Sequence, residues 1–487
     1  MADDFTGVTL NAVVAADREA LARVVDARGA VGPDDPALAP WLDEPRDKLR
    51  GRAAMLLRPR TVGEVAAILA HCHRRRLPVV PVSGGTGLVG GQVAVADGLP
   101  DPVLLSLDRM DRIRTIAPDD NCLIAEAGVT LETVQQAAAG AGRLFPLAMA
   151  SQGSCRIGGN LATNAGGVQV LHYGNARDLV LGVEAVLADG SVHHGLRRLR
   201  KDNMGYDLKG LLVGSEGTLG IITAAVLKLF PAPGETVTAM LAVPAPTAAL
   251  ALLHDLRARL GDAFTAFELI AAQGPAFIAA QHPDWRDPLA ARPAWRVLVE
   301  ATGPAADGAL AERVEAAFAA ALDAGLAHDG VVATSEAQRQ ALWWLRETIP
   351  EANRRTGAVS SHDISVPLSR IPRFIDEAAA ALAAIAPALR YNCFGHMGDG
   401  NLHYNAFPPE GAATADWRHL GPAVTEAVHG VALALGGSLA AEHGIGRIKR
   451  EALAATLDPA KLAAMRAIKA ALDPHGILNP GAVLSPG

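Results

Sequence analysis

The alternation of apolar and polar positions predicts a series of strands and helices in the first half of the chain. Short apolar runs bounded by turn residues are typical of buried strands. They predict strands at 78–82, 103–107, 122–127, 179–187, 211–213 and 226–230. A capping-box pattern at Thr61 and Glu64 starts a predicted helix that runs to about Arg76, and Thr130 starts another that runs to about Ala141.

The pattern changes after Pro231-Ala-Pro233, which we interpret as a domain boundary. Two strand–helix–strand units follow, one at 236–243, 247–260 and 264–270, the other at 295–301, 309–324 and 331–335. Helices are then predicted at 336–354, 371–387 and 420–435, and strands at 363–366, 390–394 and 401–406. Such units favour an α+β layer with an antiparallel sheet.

Composition excludes several classes of protein. With 487 residues the chain should form two or three domains. Its net charge is −7, with acidic and basic residues interspersed, which is not typical of a nucleic-acid-binding protein. No apolar stretch reaches the length of about 18 residues that a transmembrane helix needs. The acidic start Met1-Ala-Asp-Asp4 is not typical of a signal peptide. Four scattered cysteines favour reduced thiols, so we expect a cytoplasmic protein.

Three glycine-rich loops lie between the predicted strands of the first half, at 83–91, 151–167 and 214–223. The first contains Gly85-x-Gly87-x-x-Gly90, a dinucleotide-binding pattern, but the residues at 92–102 cannot begin the helix that this motif requires. A nest of backbone N–H groups is the alternative. Glycine also serves ordinary surface turns, but three such loops together predict a long, planar, phosphate-bearing cofactor.

Two polar motifs near the C-terminus suggest a metal site. In Gly395–Asn405 the alternation places His403 and Asn405 on one strand face, and the turn at 398–400 lets His396 fold back towards His403. Glu442 and His443 follow some forty residues later. Two imidazoles and a carboxylate leave open positions, as a catalytic metal requires. Histidines used for hydrogen bonding are the alternative.

These segments resemble the vanillyl-alcohol-oxidase-type FAD proteins, in particular the group of D-2-hydroxyglutarate and D-lactate dehydrogenases. The resemblance rests on the three loops, on GHMGDGNLHYN at 395–405, on AEHGIG at 441–446 and on ILNPG at 477–481. It implies an α+β fold with a two-part FAD-binding domain and an α+β cap domain with a mainly antiparallel sheet. The expected boundaries are 1–50 for an N-terminal helical segment, 51–231 for the FAD domain, 232–445 for the cap, which carries the substrate and metal site, and 446–487 for a C-terminal segment that returns to the FAD domain.

The resemblance also implies which residues contact the cofactor. The first loop would hold the diphosphate, and the second would line adenosine and flavin. The third would reach the adenine end, and the C-terminal motif would approach the isoalloxazine. In that order, the residues are Ser83, Gly84, Gly85, Thr86, Gly87 and Leu88; Ser151, Ser154, Gly158, Asn160, Asn164 and Gly167; Glu216, Gly220 and Ile221; and Asn479. No histidine lies between Val79 and Gly91, so we predict non-covalent FAD.

The resemblance implies that His396, His403 and Glu442 hold a divalent ion. Zn²⁺ suits this ligand set best, while Mn²⁺, Co²⁺ and Fe²⁺ stay open. Asn405 and His443 would face the substrate, and His443 would accept its hydroxyl proton, a task that imidazole suits near neutral pH.

Arg346 matches a family arginine that binds a substrate carboxylate; the alternative is a surface pair with Glu347. The sequence departs from the family nearby. Pro350 replaces a threonine, and Ser361 lies where a lysine is typical, so a cation is lost and the side chain of the substrate stays open. Arg354 and Arg355 are the candidates to compensate.

The resulting hypothesis is FAD-dependent oxidation of a D-2-hydroxy acid to the 2-oxo acid, with hydride transfer to flavin N5. The alternatives are a flavin oxidase that uses O₂, a flavin-free non-haem iron oxygenase and a non-enzymatic binding protein. The electron acceptor would be an electron-transfer flavoprotein, a quinone or a cytochrome. Related enzymes are often dimers, so a homodimer is one candidate assembly, and the sequence leaves the oligomeric state open.

Overall fold

The computed structural model describes residues 9–44, 49–94, 98–304 and 308–485. The chain divides into two compact units. The first contains Met1–Gly166, Asn175–Pro231 and His443–Gly487, and the second contains Gly167–Gly174 and Ala232–Glu442. The acidic start at 1–4, on which the expectation about a signal peptide depends, lies outside the described residues, as do residues 95–97 of the stretch after the first glycine loop.

The N-terminal segment is less helical than predicted. Over the described residues 9–44 it contains one α-helix, α1 (Ala15–Ala22), a short strand, β1 (Ala30–Val31), and a 3-10 helix at Pro36–Trp41. Proline lacks an N–H group and clashes with the preceding turn, which explains why no longer helix forms here. Leu21 of α1 is fully buried in the core of the first unit.

A small, mostly parallel sheet follows in the first unit. It contains β1, β2 (Met55–Leu57), β3 (Val79–Val82) and β4 (Val103–Ser106), in the order β1-β2-β4-β3. β4 is parallel to β2 and β3, and β1 is antiparallel to β2. The helix α2 (Val62–Arg75) connects β2 to β3 and begins as predicted, because the Thr61 hydroxyl accepts a hydrogen bond from the Glu64 N–H group (3.2 Å).

A five-stranded antiparallel sheet is the second layer of this unit. Its order is β5-β6-β10-β8-β9, and β7 and β11 pair separately. The strands are β5 (Ile113–Ala117), β6 (Cys122–Glu126), β7 (Arg143–Leu144), β8 (Val180–Val186), β9 (Val192–His194), β10 (Ile221–Lys228) and β11 (Phe230–Pro231). β5 and β9 were missed by the sequence analysis because their residues are mostly half-buried or exposed and include arginine or histidine.

Short helices separate these strands. They are α3 (Leu131–Gly140), α4 (Ile157–Ala162), α5 (Val170–Tyr173) and α6 (Leu208–Leu212), of which α5 belongs to the second unit. The strand predicted at 211–213 is therefore wrong. Asp207 caps α6 by accepting a hydrogen bond from the Gly210 N–H group (3.0 Å), and this local cap favours helix over the short apolar run.

The second unit is built on a seven-stranded sheet in which every pairing is antiparallel, which confirms the predicted α+β architecture. The order is β15-β12-β14-β13-β17-β18-β16. The strands are β12 (Glu235–Val243), β13 (Phe264–Ala271), β14 (Trp295–Gly303), β15 (Asp329–Val332), β16 (Ser360–Ser365), β17 (Arg390–His396) and β18 (Asn401–Phe407).

Helices accompany this sheet at the predicted positions, with α8 and α12 in addition. They are α7 (Pro246–Leu260), α8 (Gln273–Gln281), α9 (Ala309–Asp323), α10 (Glu336–Thr356), α11 (Ile371–Ile385), α12 (Thr414–Trp417) and α13 (Gly421–Ala434). Buried side chains of α8, α10 and β17, among them Phe277, Ile349 and Phe394, share one apolar cluster. This cluster supports the strand ends that carry the polar motif at 395–405.

The C-terminal segment contains α14 (Arg450–Thr456) and α15 (Pro459–Leu472) and then returns to the sheet of the first unit. Leu478 forms a parallel bridge with Val79, and the Asn479 N–H group donates to the Val79 carbonyl (2.8 Å). All four cysteines are buried free thiols. Among the described residues, no helix combines the length and the apolar character needed to cross a bilayer.

Candidate functional site

The β17–β18 hairpin brings the two predicted metal-ligand histidines together. His396 ends β17, and its carbonyl accepts the N–H groups of Asp399 and Gly400 (both 3.2 Å), which closes the turn. Gly400 has a φ of 92°, a conformation that favours glycine. The rings of His396 and His403 lie 5.7 Å apart between centroids. The turn therefore folds as the glycine spacing predicts.

Glu442 completes the predicted ligand set. Its Oε1 lies 3.4 Å from His403 Nε2, and its Oε2 lies 3.8 Å from His396 Nε2. Ligand atoms of a tetrahedral zinc site are about 3.3 Å apart, given bonds of about 2.0–2.1 Å. The donor set and its spacing thus suit a divalent ion. His443 is half-buried and follows Glu442 directly, at the first residue of the returning segment of the first unit.

Asp363 is a carboxylate near these ligands that the sequence analysis did not single out. It is buried in β16, opposite His403 in the strand register. Its carboxylate accepts hydrogen bonds from Asn401 Nδ2 (2.9 Å) and from the Glu442 N–H group (3.1 Å). Asp363 therefore holds the backbone at Glu442 in place, and its signal in the sequence was a carboxylate inside a predicted strand.

Glu268 is the most important residue that sequence reasoning missed. It is fully buried in β13, opposite His396 of β17 in the register. Its Oε1 lies 2.5 Å from His396 Nδ1, and its Oε2 lies 2.5 Å from Arg346 Nε. One carboxylate thus joins the predicted metal ligand to the predicted substrate-binding arginine. It also makes Nδ1 the N–H nitrogen of His396 and leaves Nε2 to face a metal.

The charges of this buried triad are set by the same contacts. Burial by itself would raise the pKa of Glu268, but Arg346 and His396 outweigh it and lower this pKa to about 2. Burial would lower the pKa of His396, but Glu268 outweighs it and raises this pKa to about 9. Glu268 is therefore an anion at every physiological pH, and a metal that binds His396 must first displace a proton.

Arg346 lies on α10 and is buried, so the alternative of a surface pair with Glu347 is wrong. Its guanidinium lies over the ring of Phe394 (4.9 Å to the centroid). Its two Nη nitrogens have no hydrogen-bond partner among the described residues, and the same holds for the side-chain amide of Asn405. These donors are the groups that could bind a carboxylate.

The residues that depart from the family pattern do not supply a replacement cation. Pro350 lies inside α10, and Ser361 is exposed on β16. Arg354 and Arg355 both bind Glu351 at the exposed end of α10, at 2.7 and 2.8 Å. Neither arginine takes the place of the missing lysine.

The first glycine loop has the backbone pattern of an anion nest. From Gly84 through Gly91, no N–H group finds an acceptor among the described residues. A Cβ atom on Gly84 would lie 2.2 Å from the Ser154 carbonyl oxygen, and one on Gly159 would lie 2.6 Å from Ser83 Oγ, so the first two loops approach each other closely. A Cβ on Gly87 would meet nothing within 4 Å. Unpaired N–H groups beside open space suit a diphosphate.

In the second loop, Asn160 fits a cofactor site best, because its Nδ2 is buried without a hydrogen-bond partner among the described residues. Asn164 has a φ of 49°, and its Oδ1 accepts a hydrogen bond from the Arg177 N–H group (2.9 Å). Gly158 is required by packing, since a Cβ there would lie 2.8 Å from Ala127 Cβ. Taken together, the loops fit a long dinucleotide such as FAD.

Three of the residues predicted to contact the cofactor have side chains that bind or pack within the protein. The Glu216 carboxylate accepts hydrogen bonds from the N–H groups of Ile445 (2.7 Å) and Gly446 (2.8 Å). Ile221 packs its side chain into the hydrophobic core. Asn479 uses both Nδ2 protons on the carbonyls of Gly91 and Glu216. These side chains support the loops rather than point into open space.

Comparison with known proteins agrees with this geometry. The family described as "FAD binding domain" matches residues 53–195, and the one described as "FAD linked oxidases, C-terminal domain" matches residues 232–483. A mitochondrial D-2-hydroxyglutarate dehydrogenase of Bos taurus is 40% identical over 467 residues, covering 95% of this chain and 82% of the relative. A D-2-hydroxyglutarate dehydrogenase of Xanthomonas citri pv. viticola is 38% identical, covering 87% of each chain.

Solved structures share the fold at much lower identity. p-Cresol methylhydroxylase with bound substrate superposes with a TM-score of 0.75 at 16% identity and covers 96% of each chain. A 4-ethylphenol oxidase from Gulosibacter chungangensis gives 0.73 at 19% identity and covers 98% of each chain. The chain therefore belongs to the FAD-linked oxidase family, in the group of FAD-dependent D-2-hydroxyacid dehydrogenases with a vanillyl-alcohol-oxidase-type fold, and is an FAD-dependent oxidoreductase.

Proposed function

We propose that the protein oxidises a D-2-hydroxy acid to the corresponding 2-oxo acid with FAD as the acceptor. The observation that carries the proposal is the buried carboxylate of Glu268, which binds His396 on one side and Arg346 on the other. It holds the Arg346 guanidinium close to His396, one of the three residues that we propose as ligands of a divalent ion. A 2-hydroxy acid has a carboxylate next to its hydroxyl group, so it matches this pair of groups.

The residues have distinct roles in this proposal. Arg346 binds the substrate carboxylate through its Nη nitrogens, and the Asn405 amide orients the same end of the substrate. His396, His403 and Glu442 hold the divalent ion, for which Zn²⁺ is the best match. His443 accepts the hydroxyl proton while the C–O bond becomes a double bond.

The two bound groups supply the rest of the chemistry. The divalent ion, when bound, lowers the pKa of a coordinated hydroxyl group. FAD would supply the hydride acceptor, its N5 atom. The chain contributes the positions of these groups and the base.

We propose D-2-hydroxyglutarate as the first substrate to test, because relatives at 38–40% identity carry the name of that activity. The experiment is anaerobic mixing of the holoprotein with the D- and L-enantiomers of 2-hydroxy acids, including 2-hydroxyglutarate (the glutarate derivative), lactate and malate. Bleaching of the visible flavin band by D-enantiomers supports the proposal, and we expect the glutarate derivative to react fastest. Bleaching by L-enantiomers alone, or by none, would contradict it.

FAD should be bound without a covalent link, because no histidine or cysteine lies in the loop at 83–91. Denaturing the holoprotein with acid and removing the precipitate should leave essentially all yellow colour in solution. The measurement is the flavin absorbance of the supernatant and of the washed pellet. Flavin that stays with the pellet after washing would show a covalent bond and contradict this expectation.

A further inference from the structure

Arg447 binds three successive carbonyl groups of the first glycine loop. Its backbone N–H group donates to the Val89 carbonyl (3.0 Å), and its Nη1 donates to the carbonyls of Gly90 and Gly91 (both 3.0 Å). The side chain is buried, and all these residues belong to the first unit. One residue therefore fixes the orientation of three neighbouring peptide groups.

This orientation determines where the following N–H groups point. In a trans peptide the N–H group is directed opposite to the preceding carbonyl. The N–H groups of Gly90, Gly91 and Gln92 are thus turned away from Arg447, and none has an acceptor among the described residues. Successive N–H groups without protein acceptors form a binding site for anions.

Further contacts close a network around Arg447. Its Nη2 donates to Asn479 Oδ1 (3.0 Å) and to the Pro480 carbonyl (2.9 Å). Asn479 Nδ2 in turn donates to the carbonyls of Gly91 (2.9 Å) and Glu216 (2.8 Å).

The Glu216 carboxylate closes the network by accepting hydrogen bonds from the N–H groups of Ile445 and Gly446, the two residues that precede Arg447. Glu216 and Asn479 both have φ in the left-handed region, at 52° and 42°. Non-glycine residues keep such angles only where the surroundings enforce them.

We propose that Arg447 is a positioning residue that presents the N–H groups of the first glycine loop to the FAD diphosphate. It does so without touching the cofactor, and Glu216 and Asn479 hold it in place. The proposal rests on the assignment of the loop at 83–91 to the diphosphate. It also ties the cofactor loop to the segment that begins with His443, because Arg447 lies only four residues further along the chain.

The test is the rate at which FAD leaves the holoprotein after dilution, followed by the rise in flavin fluorescence. Arg447→Ala and Arg447→Lys should both release FAD at least about tenfold faster than the unmodified chain, because a lysine cannot donate to four carbonyl and amide oxygens at once. The matched control is Arg450→Ala. Arg450 donates to the Gly481 carbonyl (2.8 Å) and has no hydrogen bond to the loop, so its release rate should change less than twofold. Equal rates for the Arg447 variants and the unmodified chain would overturn the proposal.

A second variant separates this proposal from the assignment on which it rests. Gly87 lies outside the left-handed region, and a Cβ there meets no protein atom within 4 Å. Gly87→Asp therefore adds a negative charge beside the loop without a clash and should release FAD faster through repulsion of the diphosphate. If Gly87→Asp has no effect, the loop assignment fails. If it has an effect and the Arg447 variants have none, the role of Arg447 fails.

Hydrogen exchange distinguishes local loss of order from general destabilisation. In the Arg447→Lys holoprotein, amides at 84–92 should exchange faster, whereas those of β10 (Ile221–Lys228) should keep the protection of the unmodified chain. Faster exchange throughout β10 as well would mean that Arg447 only stabilises the first unit, and this result would contradict the positioning role.

Discussion

Glu268→Gln should lower both the stability of the second unit and its affinity for a divalent ion. Glutamine has one acceptor oxygen, so its amide N–H₂ would face either the His396 Nδ1–H or the Arg346 Nε–H, a donor against a donor. Breaking a buried ion pair while leaving its partner charged costs about 3–5 kcal/mol. Loss of the carboxylate that orients a metal-bound histidine weakens metal binding about 10- to 100-fold.

Calorimetric unfolding and zinc titration of the metal-free protein measure these two effects. The matched control is Glu300→Gln. Glu300 is also a buried carboxylate of the same sheet, but its Oε2 binds Trp343 Nε1 (2.7 Å) and Thr238 Oγ1 (2.9 Å) instead of a histidine. The control should lose stability but keep its zinc affinity. An unchanged zinc affinity in Glu268→Gln would show that Glu268 does not orient His396.

The ion pairs of Glu268 should also make the stability of the metal-free protein depend on pH. Its pKa in the folded chain is about 2, below the ordinary value of 4.5. A depressed pKa stabilises the fold at pH values above 4.5, and this stabilisation is lost as the pH falls from 4.5 towards 2. Arg346 and His396, which lower the pKa, are therefore also the source of this acid sensitivity.

His443→Ala should reduce the rate of flavin reduction by the substrate about 10²- to 10⁴-fold, the range for loss of a general base. The variant should keep its flavin spectrum, and its metal content is measured beside the rate to separate loss of the base from loss of the ion. Anaerobic stopped-flow absorbance of the flavin band measures the rate. Separating the effect on the rate from that on apparent substrate affinity shows whether proton transfer or binding is lost.

The matched control for His443→Ala is His254→Ala, which removes an exposed imidazole of α7 far along the chain from both polar motifs. It should reduce its flavin at the rate of the unmodified protein. A His443→Ala protein that retained full flavin reduction would remove this residue from the role of base and would leave solvent or another group to take the proton.

The sequence predicted those parts of the fold that depend on local patterns. The Thr61 cap and the turn between His396 and His403 each follow from residues close together in the chain, and most strands of the second unit follow from their local apolar patterns. One failure was also local. A three-residue apolar run at 211–213 was interpreted as a strand, although the Asp207 cap makes it the end of a helix.

Glu268 could not be predicted because its partners are distant in sequence and meet it only through strand pairing and helix packing. Glu268 and His396 are 128 residues apart, and Glu268 and Arg346 are 78 apart. A single glutamate within Phe264–Ala271, otherwise an apolar strand with one threonine, was the one available signal. A charge in a buried strand needs a partner, but periodicity does not show which residue provides it.

In the cofactor loops, too, some features could be predicted from the sequence and others could not. Glycine density identified the three loops, and the unpaired N–H groups at 84–91 agree with an anion nest. The sequence did not reveal that Glu216 and Asn479 use their side chains to hold the loops together. Only the folded chain shows that these polar side chains are already satisfied.

The most direct test of the account is anaerobic flavin reduction by D-2-hydroxyglutarate in protein stripped of metal and in the same protein after one equivalent of Zn²⁺ is restored. We predict slow reduction without metal and recovery of the full rate with it, since the ion that we propose for His396, His403 and Glu442 would acidify the hydroxyl group. Equal rates in the two states, with FAD bound in both, would contradict the account.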